Sequence, residues 1–319
     1  MVQKQKKLPR VFDYFVAEDT FSGGTSFCAG CPAELTVRTV PKVLGNDIII
    51  VGTPGCSAPV LFGQNTGAWH RLASYSSVMT GVASSATGIS RHFRRTGKDV
   101  TVVCLTGDGD ASDIGFQPLS GAAERNENII YICYDNEGYM NTGNQRSSST
   151  PLGASTTTTP VGPKSKGKRT VAKNLPLIMA MHPVAYVATA TLSHMEDFIR
   201  KLAKAKEKRK EGFVYLHVLS PCPVGWRLAS DVSIKVCRAA VRTNYFPLWE
   251  MENNEFRFTV KVEEPRPIQE FTSLVGKFSH FKADDIASFQ EAVNERFETI
   301  STLVEKSQKN KAKKPDTGV

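Results

Sequence analysis

No stretch of about 18 apolar residues occurs anywhere in the 319-residue sequence, so a membrane-spanning helix is not expected. The first residues, MVQKQKKLPRVFDYF, lack the apolar core and small-residue cleavage site of a secretory leader. A cytoplasmic, reducing location is the expectation that follows. Cysteine is scarce and odd in number, with seven at positions 28, 31, 56, 104, 133, 222 and 237. Such a count, without a leader, argues against a disulfide framework and turns attention to metal or redox use. No internal repeat is found.

Charge of one sign is in excess, at +9. The excess sits near the N-terminus (Lys4, Lys6, Lys7), between Lys164 and Lys173, and between Lys306 and Lys314. Aromatic residues able to stack on bases are not interleaved with it. This distribution speaks against nucleic acid and for a solvated surface or docking to an acidic protein.

What is present is an alternation of strands and helices. Residues 47–52 (DIIIVG), 100–106 (VTVVCLT), 129–134 (IIYICY), 184–190 and 213–219 (FVYLHVL) read as short, nearly continuous apolar strands. Runs of that kind belong to parallel sheets covered on both faces. Helices are expected over 33–44, 78–93, 114–125, 195–210 and 289–305, a long loop over 151–174, and a hairpin over 247–262. The fold class is therefore α/β, with a mostly parallel sheet and helices on both faces. The organisation expected is an arm over 1–27, an α/β domain over 28–230, and a C-terminal extension over 231–319 with a disordered basic tail.

The sharpest motif is Gly107-Asp108-Gly109, directly after the strand VTVVCLT. Asn136 follows 28 positions later, in YDNEGYMNTG, directly after the strand IIYICY. Both lie at the carboxyl ends of parallel strands flanking one crossover helix, which is where open α/β sheets bind ligands. Mg2+ needs an octahedron of oxygens, commonly one or two side chains plus phosphate. Asp108 supplies a charged oxygen, Asn136 a neutral one, and the backbone near Gly138 a third. The flanking glycines let phosphate approach the backbone. A Gly-Asp-Gly alone is ordinary turn chemistry; the Asn-bearing strand end at this distance gives it weight.

Cys28-Ala-Gly-Cys31 is a CxxC pair, Cys56 lies in TPGCSAP and Cys222 in PCPVGW. By spacing alone, zinc, a redox dithiol and an iron–sulfur site all remain open. Cys104 and Cys133 fall inside apolar strands and read as small core residues, and Cys237 as structural.

The segments GDGDASDIGFQPLSGAAERN and YICYDNEGYMNTGNQRSSSTP resemble the beta subunits of the pyruvate:ferredoxin oxidoreductase family of 2-oxoacid oxidoreductases, over roughly residues 28–226. The resemblance implies the thiamine-diphosphate fold, with the cofactor held through Mg2+ at Asp108, Asn136 and Gly138. It implies that Cys28, Cys31, Cys56 and Cys222 hold one 4Fe–4S cluster in irregular segments, with Cys56 close to the thiamine. It implies substrate contact by Asn141, and contact with diphosphate or substrate by Thr142. The activity implied is oxidative decarboxylation of a 2-oxoacid, pyruvate to acetyl-CoA and CO2 as default, with electrons passed to ferredoxin. Partners implied are an alpha subunit supplying the pyrimidine-side Glu and a gamma/delta or ferredoxin-like subunit, with coenzyme A as co-substrate for the pyruvate type.

Two departures qualify the match. Pro32 stands where many pyruvate-type subunits have Gly. The run from His70 to Gly81 lacks the acidic, Asn-containing segment common there, and His70 and Arg71 are cationic candidates for holding a more anionic substrate such as oxalate. An oxalate oxidoreductase subunit is therefore one alternative, and a non-redox thiamine-dependent decarboxylase or synthase subunit another.

Overall fold

The apolar runs become the centre of one eight-stranded sheet in the computed structural model, which describes residues 10–62 and 70–313. In chain order the elements are α1 (Pro32–Leu44), β1 (Ile48–Gly52), α2 (Ala58–Leu61), β2 (Ala73–Ser76), α3 (Val82–Arg95), β3 (Thr101–Gly107), α4 (Phe116–Glu124) and β4 (Ile130–Asp135). A two-residue hairpin follows, β5 (Val161–Gly162) and β6 (Ser165–Lys166), then α5 (Leu175–Ala180), β7 (Tyr186–Thr191), α6 (Met195–Lys208) and β8 (Val214–Leu219). The chain closes with α7 (Ser233–Arg242), β9 (Leu248–Glu252), β10 (Glu255–Val260), α8 (Gln269–Thr272) and α9 (Ala283–Lys313).

The strand order is β10-β9-β7-β8-β4-β3-β1-β2. Every pairing from β7 to β2 is parallel, and β9 pairs antiparallel with both β7 and β10. Successive residues of β3 serve opposite faces, as the period of two requires. Val103 and Leu105 pack with α1 and α6 through Val37, Val40, Phe198 and Leu202. Val102 and Cys104 pack with α3, α4 and α9 through Ala86, Leu119 and Ile300. Both faces are thus dry, which explains why these strands read as unbroken apolar runs. Truncating a residue such as Leu216, fully buried in this core, to Ala would cost about 2–5 kcal/mol. A third apolar cluster, built on Trp226, Tyr245, Phe271 and Phe278, packs residues of the C-terminal segment beside the carboxyl end of β8.

Four expectations need correction. The helix expected from residue 114 begins at Phe116, because Asp110–Ile114 forms a π-helical turn closed by Gly115. A Cβ on Gly115 would stand 2.0 Å from Asp110 Oδ1, so glycine is required there. The edge strand β2 was not foreseen: ASYS is exposed throughout and carries no apolar alternation. The helix expected over 289–305 starts at Ala283. The tail expected to be disordered is helical as far as Lys313. It is held there by β10: Phe256 N donates to Ser307 Oγ at 2.9 Å and Lys311 pairs with Glu255. Residues 314–319 and the N-terminal lysines at 4, 6 and 7 lie outside the described residues.

Candidate functional site

The carboxyl ends of β1, β3 and β4 lie side by side, so the turns that follow them form one rim. A cleft of about 130 Å3 opens there. It is lined by Pro54, Gly55 and Cys56 from the first turn, Gly107 and Gly109 from the second, and Asn136, Gly138, Asn141 and Thr142 from the third. Met79 and Met140 add an apolar wall.

Asp108 is fully buried behind this cleft. Burial first, and then the neighbouring Asp135 carboxylate, push its carboxyl well above the ordinary range. Asn136 N donates to Asp108 Oδ1 at 3.2 Å, and Ser147 Oγ donates to Oδ2 at 2.5 Å. The Asn136 side-chain oxygen faces acceptors only: it stands 2.8 Å from the Gly138 carbonyl and 2.9 Å from Asp108 Oδ1. Rotating the amide would turn this into two ordinary hydrogen bonds. In either orientation the Asn136 amide stands within hydrogen-bond distance of both the Gly138 carbonyl and Asp108 Oδ1, so the three groups converge. An amide, a carbonyl and a carboxylate brought together in this way fit the oxygen ligands that Mg2+ prefers.

The glycines differ in what they do. A Cβ on Gly109 would stand 2.5 Å from the Tyr139 ring, whose hydroxyl donates to Gly109 O at 2.9 Å. Gly107 has ordinary room, with its nearest neighbour at 3.5 Å. Glu137 takes a left-handed backbone conformation between the two oxygen donors, with φ of 62°. Asn141 is exposed at the mouth of the cleft. Thr142 is exposed too, and its hydroxyl donates to Gln145 Oε1 at 2.5 Å within its own turn.

The seven cysteines divide cleanly. Cys104, Cys133 and Cys237 are buried in the core, the first two inside β3 and β4. Cys28 is exposed, and Cys31, Cys56 and Cys222 are half-buried. These four feel one another electrostatically. Burial and then the other thiols push Cys56 up to about 12. Burial, with Cys222 and Cys28 adding, pushes Cys31 up to about 11. Cys31 caps α1 and Pro32 occupies the first helical turn, where its missing N–H costs nothing. Gly30 presses the CAGC turn against the chain that follows Cys222, since a Cβ there would stand 1.8 Å from Ser230 O. Among the described residues, no three His, Cys, Asp or Glu side chains close on a single metal ion. A zinc tetrahedron, with Zn–S of about 2.3 Å, demands such closure.

His70 lies away from the cleft. Its Nε2 meets Leu61 O at 2.7 Å and its Nδ1 accepts from Leu72 N at 3.2 Å, so both ring nitrogens tie backbone segments together. Sequence reasoning missed several residues around the site. Ser147, Tyr139, Trp226, Tyr245 and Lys277 all contact the Asp108–Gly138 region, and short turn sequences gave no sign of it. Trp226 Nε1 donates to Asn136 O at 2.7 Å.

A doubly covered parallel sheet with a cleft at its carboxyl edge has the architecture of a thiamine-diphosphate-binding domain. The family described as thiamine pyrophosphate enzyme, C-terminal TPP binding domain, matches residues 54–218. The chain is 43% identical over 292 residues to the NADH-dependent phenylglyoxylate dehydrogenase subunit beta of Aromatoleum evansii, covering 90% of this chain and 65% of that protein. It therefore spans just under two thirds of that relative's length. Against the pyruvate synthase subunit PorB of Methanothermobacter thermautotrophicus it is 43% identical, over 87% of this chain and 96% of that one. Against the ketoisovalerate oxidoreductase subunit VorB of Pyrococcus horikoshii it is 39% identical, over 90% and 94%. A 2-oxoglutarate:ferredoxin oxidoreductase structure from Magnetococcus marinus superposes with a TM-score of 0.51 at 21% identity, covering 73% of this chain and 81% of that one, which speaks to the fold alone. The chain belongs to the beta-subunit family of the 2-oxoacid:ferredoxin oxidoreductases. It is of the thiamine-dependent oxidoreductase class, and its relatives are subunits of larger enzymes. Among the described residues no helix is long and apolar enough to cross a membrane.

Proposed function

We propose that this chain binds thiamine diphosphate through Mg2+, carries one 4Fe–4S cluster beside it, and serves in the oxidative decarboxylation of a 2-oxoacid with electrons delivered to ferredoxin. The observation that carries the reading is the convergence of the Asp108 carboxylate, the Asn136 amide and the Gly138 carbonyl beside a cleft that Cys56 also lines. Those three groups would hold Mg2+ from the protein side. Diphosphate would approach across Gly107 and Gly109. When bound, thiamine diphosphate supplies the electron sink that lets a 2-oxoacid lose CO2.

The chain's own residues shape the rest. Met79 and Met140, which line the cleft, would help to keep water out of it, and Asn141 at its mouth would contact the substrate. Cys28, Cys31, Cys56 and Cys222 would hold the cluster. Buried thiols pushed upward in pKa ionise readily only against strong positive charge, which iron provides. Cys56 belongs to both sets, so the two cofactor sites share a wall.

The chain works with an alpha subunit that supplies the pyrimidine-side Glu and with a ferredoxin-like subunit, in the cytoplasm. Pyruvate with coenzyme A is the default substrate. Both His70 ring nitrogens engage backbone groups, which speaks against the oxalate alternative in which His70 and Arg71 hold the substrate.

The test is an anaerobic preparation of the native complex. Bound thiamine, iron and sulfide with absorbance near 400 nm support the reading; thiamine without iron on this chain would favour a non-redox thiamine enzyme. Methyl viologen reduction with pyruvate plus coenzyme A, and then with other 2-oxoacids and oxalate in turn, identifies the substrate.

A further inference from the structure

The C-terminal segment carries no cofactor motif, yet it delivers a buried cation to the space between the two proposed cofactor sites. Lys277 lies in a short 3-10 turn, Gly276–Phe278, and is 2% exposed. Its ammonium donates to Glu137 Oε2. Tyr245, also buried, donates its hydroxyl to the other oxygen, Oε1. Glu137 stands between the two metal-facing donors Asn136 and Gly138. The same ammonium sits 3.4 Å from the centre of the Trp226 ring, a cation–π contact shielded from water.

Trp226 faces both ways. Its indole N–H donates to Asn136 O, and its backbone N–H donates to Cys222 O at 2.9 Å. Gly225 N–H donates to Cys222 Sγ at 3.3 Å in the same turn. Lys277 is also within electrostatic reach of Cys222 on one side and Asp108 on the other. A backbone glycine makes the approach possible: a Cβ on Gly276 would stand 2.6 Å from Arg227 Cβ.

We infer that Lys277 is a positioning residue that locks the metal-facing loop to the Cys222 turn and sets the positive charge felt by the cluster. The inference rests on the cofactor reading proposed above. A cluster gains negative charge on reduction, and a buried cation nearby favours that state, because net charge and burial are among the factors that set cluster potential. The same cation fixes Glu137, and through it the geometry of the oxygens on either side.

The test compares Lys277→Met, Lys277→Arg and the double variant Lys277→Met with Glu137→Gln, each in the complete complex. The double variant removes both charges together, so it remains informative where the single neutral variant is poorly folded. Two readouts are taken: the cluster's midpoint potential by redox titration followed by EPR, and the Mg2+ concentration needed to saturate thiamine diphosphate binding. The expected result for Lys277→Met is a more negative potential and a several-fold higher Mg2+ requirement. Lys277→Arg stays near the wild type in potential, and the double variant shifts less than the single one. A Lys277→Met or double variant with full iron content and an unmoved potential overturns the inference, as does a Lys277→Arg shift as large as that of Met. Wild-type complex without iron on this chain would instead refute the cluster reading itself, while the Mg2+ comparison would still decide the role of Lys277 at the metal loop.

Discussion

Ser147 donates its hydroxyl to Asp108 Oδ2 across 2.5 Å, although 39 positions separate them in sequence. The bond fixes one carboxylate oxygen and leaves Oδ1 to face Asn136 and Gly138. Thr150 holds Ser147 in turn, its hydroxyl accepting from Ser147 N at 2.9 Å. Partners of this kind orient metal ligands, and their loss commonly costs about 10–100-fold in metal affinity. Ser147→Ala is therefore expected to raise the Mg2+ requirement for thiamine diphosphate binding by about that factor, with the fold intact. Titration of cofactor binding against Mg2+ measures it; an unchanged requirement would show that Asp108 is oriented without Ser147. Asp108→Asn, by contrast, is expected to abolish Mg2+-supported thiamine diphosphate binding altogether.

Gly109→Ala places a methyl group 2.5 Å from the Tyr139 ring. The ring must leave, and its bond to Gly109 O goes with it. Cofactor binding and turnover should fall together in this variant. Gly107→Ala, whose added carbon would meet nothing nearer than 3.5 Å, should be much milder. Equal damage from the two substitutions would mean that the diphosphate itself passes too close to Gly107 to admit a methyl group.

Among the cysteines, single Ser substitutions at 28, 31, 56 or 222 should strip or destabilise the 400 nm chromophore. Substitution of Cys237, buried away from the cleft, should leave it in place while lowering thermal stability. Iron analysis of the anaerobic preparations decides between them. A chromophore that survives Cys222→Ser would remove that residue from the set.

His70→Ala should leave the order of substrate preference unchanged. It breaks the ring contacts with Leu61 O and Leu72 N, so the expected loss is stability, about 1–3 kcal/mol if the backbone groups stay unsatisfied. A switch in preferred 2-oxoacid would restore a substrate role to this position.

The parallel sheet was legible because dry strands must be apolar on both faces, and β4 and β8 are buried throughout and β3 as far as Thr106. Asp108 and Asn136 were legible because a strand end followed by Gly or Asn chemistry marks the ligand edge of such a sheet. The edge strand β2 was not, since all four residues of ASYS are exposed and burial imposes no alternation on them. The supporting ring of Ser147, Tyr139, Trp226 and Lys277 was invisible for a different reason. Each acts through one long-range bond, and a single residue in a turn carries no periodicity. The tail read as disordered from its polarity, but a helix needs only one packed stripe, which Ile300, Val304 and Ser307 supply.

The topology also fixes an order of events. Cys28, Cys31 and Cys56 come from the first fifth of the chain, whereas Cys222 follows β8, and β8 docks against β4 and β7 only through long-range parallel pairing. Contacts of such separation form late. On the proposed cluster reading, the four thiols would become neighbours only once the central sheet is complete, and iron would be delivered to an already folded subunit during its maturation rather than serve as a nucleus around which the chain first collapses.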